Sequence, residues 1–235
     1  MSGNEEGVQV KMVFWDVDTQ FDFMTPAEQG GKLYVKDLQN PEDAGAIVIK
    51  ANLKRLTDHA REHGILRVAT GDWHTLEHRE IDADAPDFRL TYPPHCMAGE
   101  IGSEKIPETA LRDPIVIPLG ASPETARAAA SEAKSAGCDI FLRKEEFSCF
   151  TGNLATEALI DELDPDRFVV YGVALDVCVK YAIEGMLERG RKVVLVEDAT
   201  WGLGLDDPAA LIGRWEVLGL ERTTTDEVVS GALSS

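Results

Sequence analysis

The sequence predicts an α/β protein. It reads as a three-layer α/β/α, Rossmann-like domain around a central, mostly parallel six-stranded sheet. Nearly all-apolar runs rich in Val and Ile recur along the chain, and stretches with helical periodicity separate them. Strands of that kind are buried on both faces, which a parallel sheet covered by crossover helices provides. No internal repeat or low-complexity linker interrupts the pattern. All 235 residues therefore read as a single domain, with 8–204 as its core and 205–235 as a C-terminal helical extension.

The first strand is "VKMVFWDV" (10–17), which runs into the acidic turn "DTQFDF". Ile49, Leu53, Leu56 and Ala60 follow at spacings of four, three and four, the stripe of an amphipathic helix. Gly64 stops that helix before the second strand, "ILRVATGD" (65–72). "PIVIPL" (114–119) is a third strand. A helix follows, with Ser122 as N-cap, Pro123 at its first position and Gly137 at its end. "DIFLRK" (139–144) is the fourth strand, Asn153 to Leu163 a further helix, and "RFVVYGV" (167–173) the fifth strand. A helix starting near Val177 places Cys178, Ala182, Ile183, Met186 and Leu187 on one face, and "RKVVLVED" (191–198) is the sixth strand. Residues 72–113 break this regularity, being rich in Pro, His and acid without periodicity. A loop that long inside a compact domain is usually functional.

Composition narrows the function classes. Apolar residues make up 44% and charged residues 28%, ordinary values for a soluble globular chain. A net charge of −19 argues against nucleic acid, whose phosphates need Lys and Arg, and against anionic membrane surfaces. The longest apolar runs are too short to span a bilayer, and "MSGNEEGVQVK" carries no secretory pattern. Four cysteines without zinc-finger spacing suggest free thiols in a reducing, cytoplasmic setting.

Ligands of open parallel sheets bind beyond the carboxyl ends of the strands, so four junctions matter. After the first strand come Asp16, Asp18 and Asp22, which read either as turn formers or as catalytic acids. After the second come Asp72, His74 and His78, with His95 later in the same irregular segment. Imidazoles beside a carboxylate suit Zn²⁺ or Fe²⁺. Lys144 ends the fourth strand. Cys178 follows the fifth, where helix-start amides and a nearby Lys would favour thiolate and bring the pKa to roughly 3.5–7.5. The bland alternative for Cys178 is a buried, inert packing residue. Cys96, Cys138 and Cys149 read as structural.

Together these pieces resemble the isochorismatase-like cysteine hydrolase superfamily, and within it the nicotinamidases and pyrazinamidases. "DTQFDF" resembles that family's D-x-Q-x-D-F, "GDWHTLEH" its D-W-H segment, and "YPPHCMAGEIGSE" its W-P-x-H-C-x-x-G-T-x-G-A/S-E loop. "KEEFSCF" is similar to K-x-x-Y-S-A-F, "GVALDVCV" to G-V-A-T-D-x-C-V, and "VEDATWG" to D-A-x-x-G. The ordered set spans roughly residues 10–204. The resemblance implies a triad of Asp18, Lys144 and Cys178, with Asp16 as the alternative acid if the register shifts. It implies an oxyanion hole from the backbone amides of Leu175 and Cys178, with a cis peptide after Ala174. Asp72, His74 and His95 would ligate a divalent metal, Zn²⁺ first with Fe²⁺ or Mn²⁺ as alternatives, and His78 would be a further candidate ligand. The sequence departs from the family at Tyr92 (Trp in the family), Glu100 (Thr) and Leu175 (Thr).

What the resemblance implies is cysteine-dependent hydrolysis of a small amide substrate through a thioester, with nicotinamide as the first candidate, in a homo-oligomer. The alternatives are a carbamoyl- or maleamate-type amidase, an isochorismatase-type hydrolase, and a non-catalytic binding domain. An isochorismatase-type reaction needs neither a nucleophilic Cys nor a metal, so Cys178 with Asp72, His74 and His95 speaks against it.

Overall fold

The structure, a computed structural model, describes residues 11–234. Val10, the first residue of the predicted opening strand, and residues 8–10 of the predicted core lie outside the described residues. In chain order the strands are β1 (Met12–Val17), β2 (Leu66–Asp72), β3 (Ile115–Ile117), β4 (Ile140–Lys144), β5 (Arg167–Val173), β6 (Val193–Trp201) and β7 (Glu221–Thr223). The α-helices are α1 (Phe21–Met24), α2 (Lys50–His63), α3 (Pro123–Ala136), α4 (Cys149–Gly152), α5 (Thr156–Leu163), α6 (Lys180–Glu188), α7 (Pro208–Val217) and α8 (Thr225–Val229). The strands form one sheet in the order β3-β4-β2-β1-β5-β6-β7, and every pairing is parallel.

The six predicted strands are all present, and β7 adds a seventh from within the predicted helical extension. Three residues on a sheet edge are too few to show a period, which is why helical patterning on either side masks β7. That strand pairs Val194 to Val196 with Glu221 to Thr223, so the C-terminal segment completes the sheet as well as adding α7 and α8.

The local signals behave as their chemistry dictates. Ser122 caps α3 by accepting from the Thr125 amide, and Gly137 closes that helix in the left-handed region at φ 68. Ile49, Leu53, Leu56 and Ala60 are all buried, so the predicted stripe of α2 does face the sheet. On one side, α3 packs on α5, α4 bridges α5 and α6, and the Trp215 indole of α7 donates to Glu184 of α6. On the other side, α2 packs with α8.

The chain leaves β1 toward β2 on one side and later returns to β5 on the other. The sheet therefore switches direction at β1, where a crevice opens beyond the strand ends. Gly172 makes close approach possible there: at φ 121, any Cβ would sit 2.1 Å from the Val17 carbonyl oxygen. No helix among the described residues is long and apolar enough to cross a membrane.

Leu56 on α2 is fully buried, whereas Val48, just before the helix, is 48% exposed. Leu56→Ala is expected to cost about 2–5 kcal/mol in urea unfolding, and Val48→Ala within about 0.5 kcal/mol. Equal losses at the two positions would show that α2 does not pack as described.

Candidate active site

Asp18, Asp72, Lys144 and Cys178 come from four different strand ends and meet in the crevice. Asp72 and Lys144 are direct register partners on β2 and β4, so sheet pairing alone sets their side chains together. Asp18 sits one residue past β1 at φ 48, a left-handed conformation that Asp tolerates better than most residues. Cys178 lies in a π-helical turn, Leu175–Val179, between β5 and α6.

The centre of the cluster is the Lys144 ammonium. It lies 2.9 Å from Asp18 Oδ2 and 3.5 Å from Cys178 Sγ, pairs with Asp72 Oδ1, and donates to the Glu146 carbonyl at 3.1 Å. Asp18, Asp72 and Lys144 are each at most 1% exposed and Cys178 is 6%. Thr70 adds a 2.6 Å hydrogen bond to Asp18 Oδ1. Asp16, the alternative acid, points away from this cluster. It pairs with Lys105 at 3.0 Å and accepts from the Thr19 hydroxyl at 2.7 Å.

Burial and charge compete at each group. Burial lowers Lys144, but the anions of Asp18 and Asp72 outweigh it and hold the ammonium well above the ordinary lysine value. Burial lifts Asp72, but Lys144 and the two neighbouring imidazoles keep its carboxyl well below the carboxylate range. Asp18 is raised, because burial and the Asp72 charge exceed the help from Lys144 and Thr70. Burial also pushes the Cys178 thiol well above its usual value, opposed by Lys144 and reinforced by Asp18 and Asp72. This corrects the expectation of a lowered thiol pKa. One cation shared with two carboxylates cannot offset loss of water around the sulfur. The resting group is a thiol with a carboxylate beside it.

Asp72 also belongs to a second cluster. Its Oδ2 lies 3.6 Å from His74 Nε2 and 3.8 Å from His95 Nε2, close to the edge of a tetrahedron with bonds of about 2.0–2.2 Å. His95 Nδ1 is 2.7 Å from the Pro93 carbonyl, which fixes the proton there and leaves Nε2 bare. His74 Nε2 is buried and has no hydrogen-bond partner. Burial lowers the His74 pKa, so its imidazole is neutral, as ligation requires. These three donors fit a divalent ion. Asp18, Asp72 and Cys178 also lie within ligand spacing of one another, but the Lys144 ammonium already fills the space between them. His78 stands outside the donor set.

The acidic motif after β1 divides its labour. Asp18 faces Lys144, and the Gln20 amide grips Asp72 from both sides. Its Nε2 donates to the Asp72 carbonyl at 2.8 Å and its Oε1 accepts from the Asp72 amide at 2.7 Å. Asp22 accepts from the Cys96 amide at 2.7 Å and so holds the loop next to His95. Gly102 is required beside it, since a Cβ there would lie 2.1 Å from Asp22 Oδ2.

A narrow cavity adjoins the cluster. It is lined by Asp72, His95 and Cys178 and by an apolar wall that includes Phe23, Tyr92, Phe147, Ala174 and Val177. Leu175 lines a different cleft, with Asp37, Asp176 and Trp201. The cis peptide is Val173–Ala174, one residue earlier than expected, at the point where β5 ends and the turn begins. Glu100 sits outside the cavity and pairs with Lys32.

A family model, the isochorismatase domain, matches residues 16–227. The chain belongs to the isochorismatase family. This isochorismatase-family chain is 26% identical over 207 residues to the nicotinamidase/pyrazinamidase of Mycobacterium tuberculosis, covering 87% of this chain and 94% of that one. Its fold matches a nicotinamidase/pyrazinamidase of Acinetobacter baumannii (TM-score 0.67, 21% identity, 94% and 100% of the chains covered). It also matches the zinc complex of the Pyrococcus horikoshii pyrazinamidase (TM-score 0.63, 22% identity, 91% and 99% covered). A third match is N-carbamoylsarcosine amidase from Thermoplasma acidophilum (TM-score 0.61, 22% identity, 92% and 98% covered).

Some residues around the site of this isochorismatase-family protein carry no sequence signal. Thr70 reads only as a strand residue. Glu80 lies in a charged stretch, yet it is 7% exposed and accepts from the Phe147 amide at 2.6 Å. Burial, with the Asp72 charge, pushes its carboxyl up to about 8. Lys105 lies in the irregular segment, yet it is buried against Asp16.

The thiol assignment can be tested through alkylation of Cys178 by iodoacetamide. The rate is expected to keep rising as pH passes about 8.5, the ordinary cysteine value. A plateau reached below pH 7 would mean a stable thiolate and contradict it.

Proposed function

We propose that this chain is a cysteine amidohydrolase that converts a small carboxamide into its acid and ammonia, nicotinamide being the first candidate. The observation that carries this reading is the buried Asp18–Lys144–Cys178 cluster opening on an apolar cavity. A thiol, a base and a cation meet there, which is what nucleophilic acyl transfer requires.

In this reading Asp18 takes the thiol proton as Cys178 Sγ attacks the carboxamide carbon. Lys144 holds the charge that then develops on sulfur as Asp18 is neutralised. The tetrahedral oxyanion rests on backbone amides, those of Cys178 and of Ala174. Ala174 is preferred to Leu175 because Ala174 lines the cavity and Leu175 lines the neighbouring cleft. Collapse breaks the C–N bond, and ammonia leaves with the proton from Asp18. Water then gives a proton back to Asp18, attacks the thioester carbon and releases the acid with the thiol restored. When bound by Asp72, His74 and His95, a divalent ion supplies a Lewis acid that orients a lone pair of the substrate. The aromatic walls, Phe23, Tyr92 and Phe147, suit a flat ring.

Ammonia release from nicotinamide, and from an N-carbamoyl amino acid as a second amide class, tests the reading. Cys178→Ala and Asp18→Asn are each expected to lower the rate by about 10³-fold or more. Undiminished activity in Cys178→Ala would sink the thiol mechanism, while activity on the carbamoyl compound alone would move only the substrate. The pH dependence has a definite sign. Asp18 must be ionised to accept the proton, and its carboxyl is raised, chiefly by burial. The acid limb of kcat/KM is therefore expected above the ordinary carboxylate value of about 3.9, with activity lost as pH falls through it.

A further inference from the structure

His78 stands outside the donor set, but its ring is bonded on both sides. Its Nε2 lies 3.1 Å from Glu145 Oε2, and its Nδ1 lies 3.4 Å from His74 Nδ1 and 3.4 Å from the Thr75 amide. The two imidazoles meet edge to face, with centroids 5.6 Å apart. We propose that Glu145 and His78 form a relay that positions His74 as a metal ligand, His78 being a positioning residue rather than a ligand. This rests on reading Asp72, His74 and His95 as a divalent-ion site.

The proton count along the chain decides its direction. The Glu145 carboxylate accepts, so Nε2 of His78 carries a proton, and the Thr75 amide can only donate, so Nδ1 of His78 is the acceptor. His78 Nδ1 is then a bare acceptor, which takes the His74 Nδ1–H and the Thr75 amide. His74 Nε2 is left with its lone pair, buried, without a partner and 3.6 Å from Asp72 Oδ2. One assignment thus satisfies every donor and leaves bare the nitrogen a metal needs. It also removes His78 as a fourth ligand, because both of its nitrogens are already used.

Each ligand ring is then fixed through Nδ1 by a different device. His95 uses the Pro93 carbonyl two residues away in its own loop. His74 uses His78, and through it a carboxylate from another strand end, since Glu145 directly follows Lys144. Glu145 is itself anchored by its amide to the Gly152 carbonyl at 3.2 Å. The relay therefore ties the metal-binding loop to the segment that carries Lys144. A carboxylate behind an imidazole also makes the ligand nitrogen more basic.

The test is zinc affinity, measured by competition with a chromophoric chelator on the full chain. His78→Leu keeps bulk but offers no acceptor, and His78→Asn places an amide oxygen near the position of Nδ1. Removing the acceptor is expected to weaken zinc binding about 10–100-fold, the usual cost of losing such a partner. His78→Asn should recover most of that loss, and Glu145→Gln should fall between. The cobalt-loaded protein should show an altered visible spectrum in His78→Leu, and the chelated proteins should share one unfolding midpoint. Wild-type affinity in His78→Leu would overturn the relay, as would His78→Asn binding as weakly as His78→Leu. If the wild type itself takes up no zinc and Asp72→Asn behaves identically, the ion-site reading falls and the relay with it. Ammonia release by the metal-free wild type would then still leave the thiol chemistry standing.

Discussion

The site depends on one buried ammonium. Lys144 is enclosed and touches two carboxylates and a sulfur, all of them buried. Each buried anion carries a desolvation penalty of several kcal/mol, recovered only with close, well-bonded countercharge. Sheet register supplies it, because Asp72 and Lys144 are paired at the ends of β2 and β4. Asp18 then reaches the same nitrogen from β1, the strand on the far side of β2. The parallel sheet brings three charges together with little contribution from any loop.

That arrangement also sets the chemistry. Two carboxylates against one ammonium leave one negative charge in excess. The excess falls on the groups with the least other support. Asp72 has Lys144 and two imidazoles and stays ionised; Asp18 has Lys144 and one hydroxyl and is raised. The thiol has only the long contact to Lys144 and stays protonated. In the proposed reaction, a raised carboxyl next to a thiol is well matched for moving one proton at the moment of attack. A preformed buried thiolate would need a second cation, and among the described residues near the sulfur only Lys144 provides one.

Much of this was legible in the sequence because strand ends are legible. Apolar runs locate β1, β2, β4 and β5, and whatever follows each run must lie on one edge of the sheet, so Asp18, Asp72, Lys144 and Cys178 could be grouped before any contact was known. The thiol's protonation state was not legible, because proximity to a helix start and a Lys says nothing about enclosure. Nor was the separation of Asp16 from Asp18. Strand alternation puts both on one side, and only the long-range partner Lys105, 89 positions away from Asp16, distinguishes them. Leu175 is a neighbour of Cys178 in sequence, yet it lines another cleft, which the sequence does not show.

The long irregular loop raises the question of how precise ligand geometry survives without regular structure. Side chains from β1 and from the buried turn and short helix that follow it act as its scaffold. Gln20 binds the Asp72 backbone on both sides and also donates to the Ser103 carbonyl at 2.8 Å. Asp22 receives amides from Cys96 and Lys32, and Asp16 receives the Lys105 ammonium. Asp16 in β1, Gln20 just before α1 and Asp22 in α1 face the loop, and Asp18 between them faces Lys144. Single backbone bridges, Gln20 to Lys105 and His74 to Met97, close the remaining gaps. Each tie is a charged or bidentate hydrogen bond inside a low-dielectric interior, where leaving a partner unpaired costs more than the bond contributes. The loop is therefore held by the penalty on its alternatives, and Asp72 and His95 inherit the rigidity of β1.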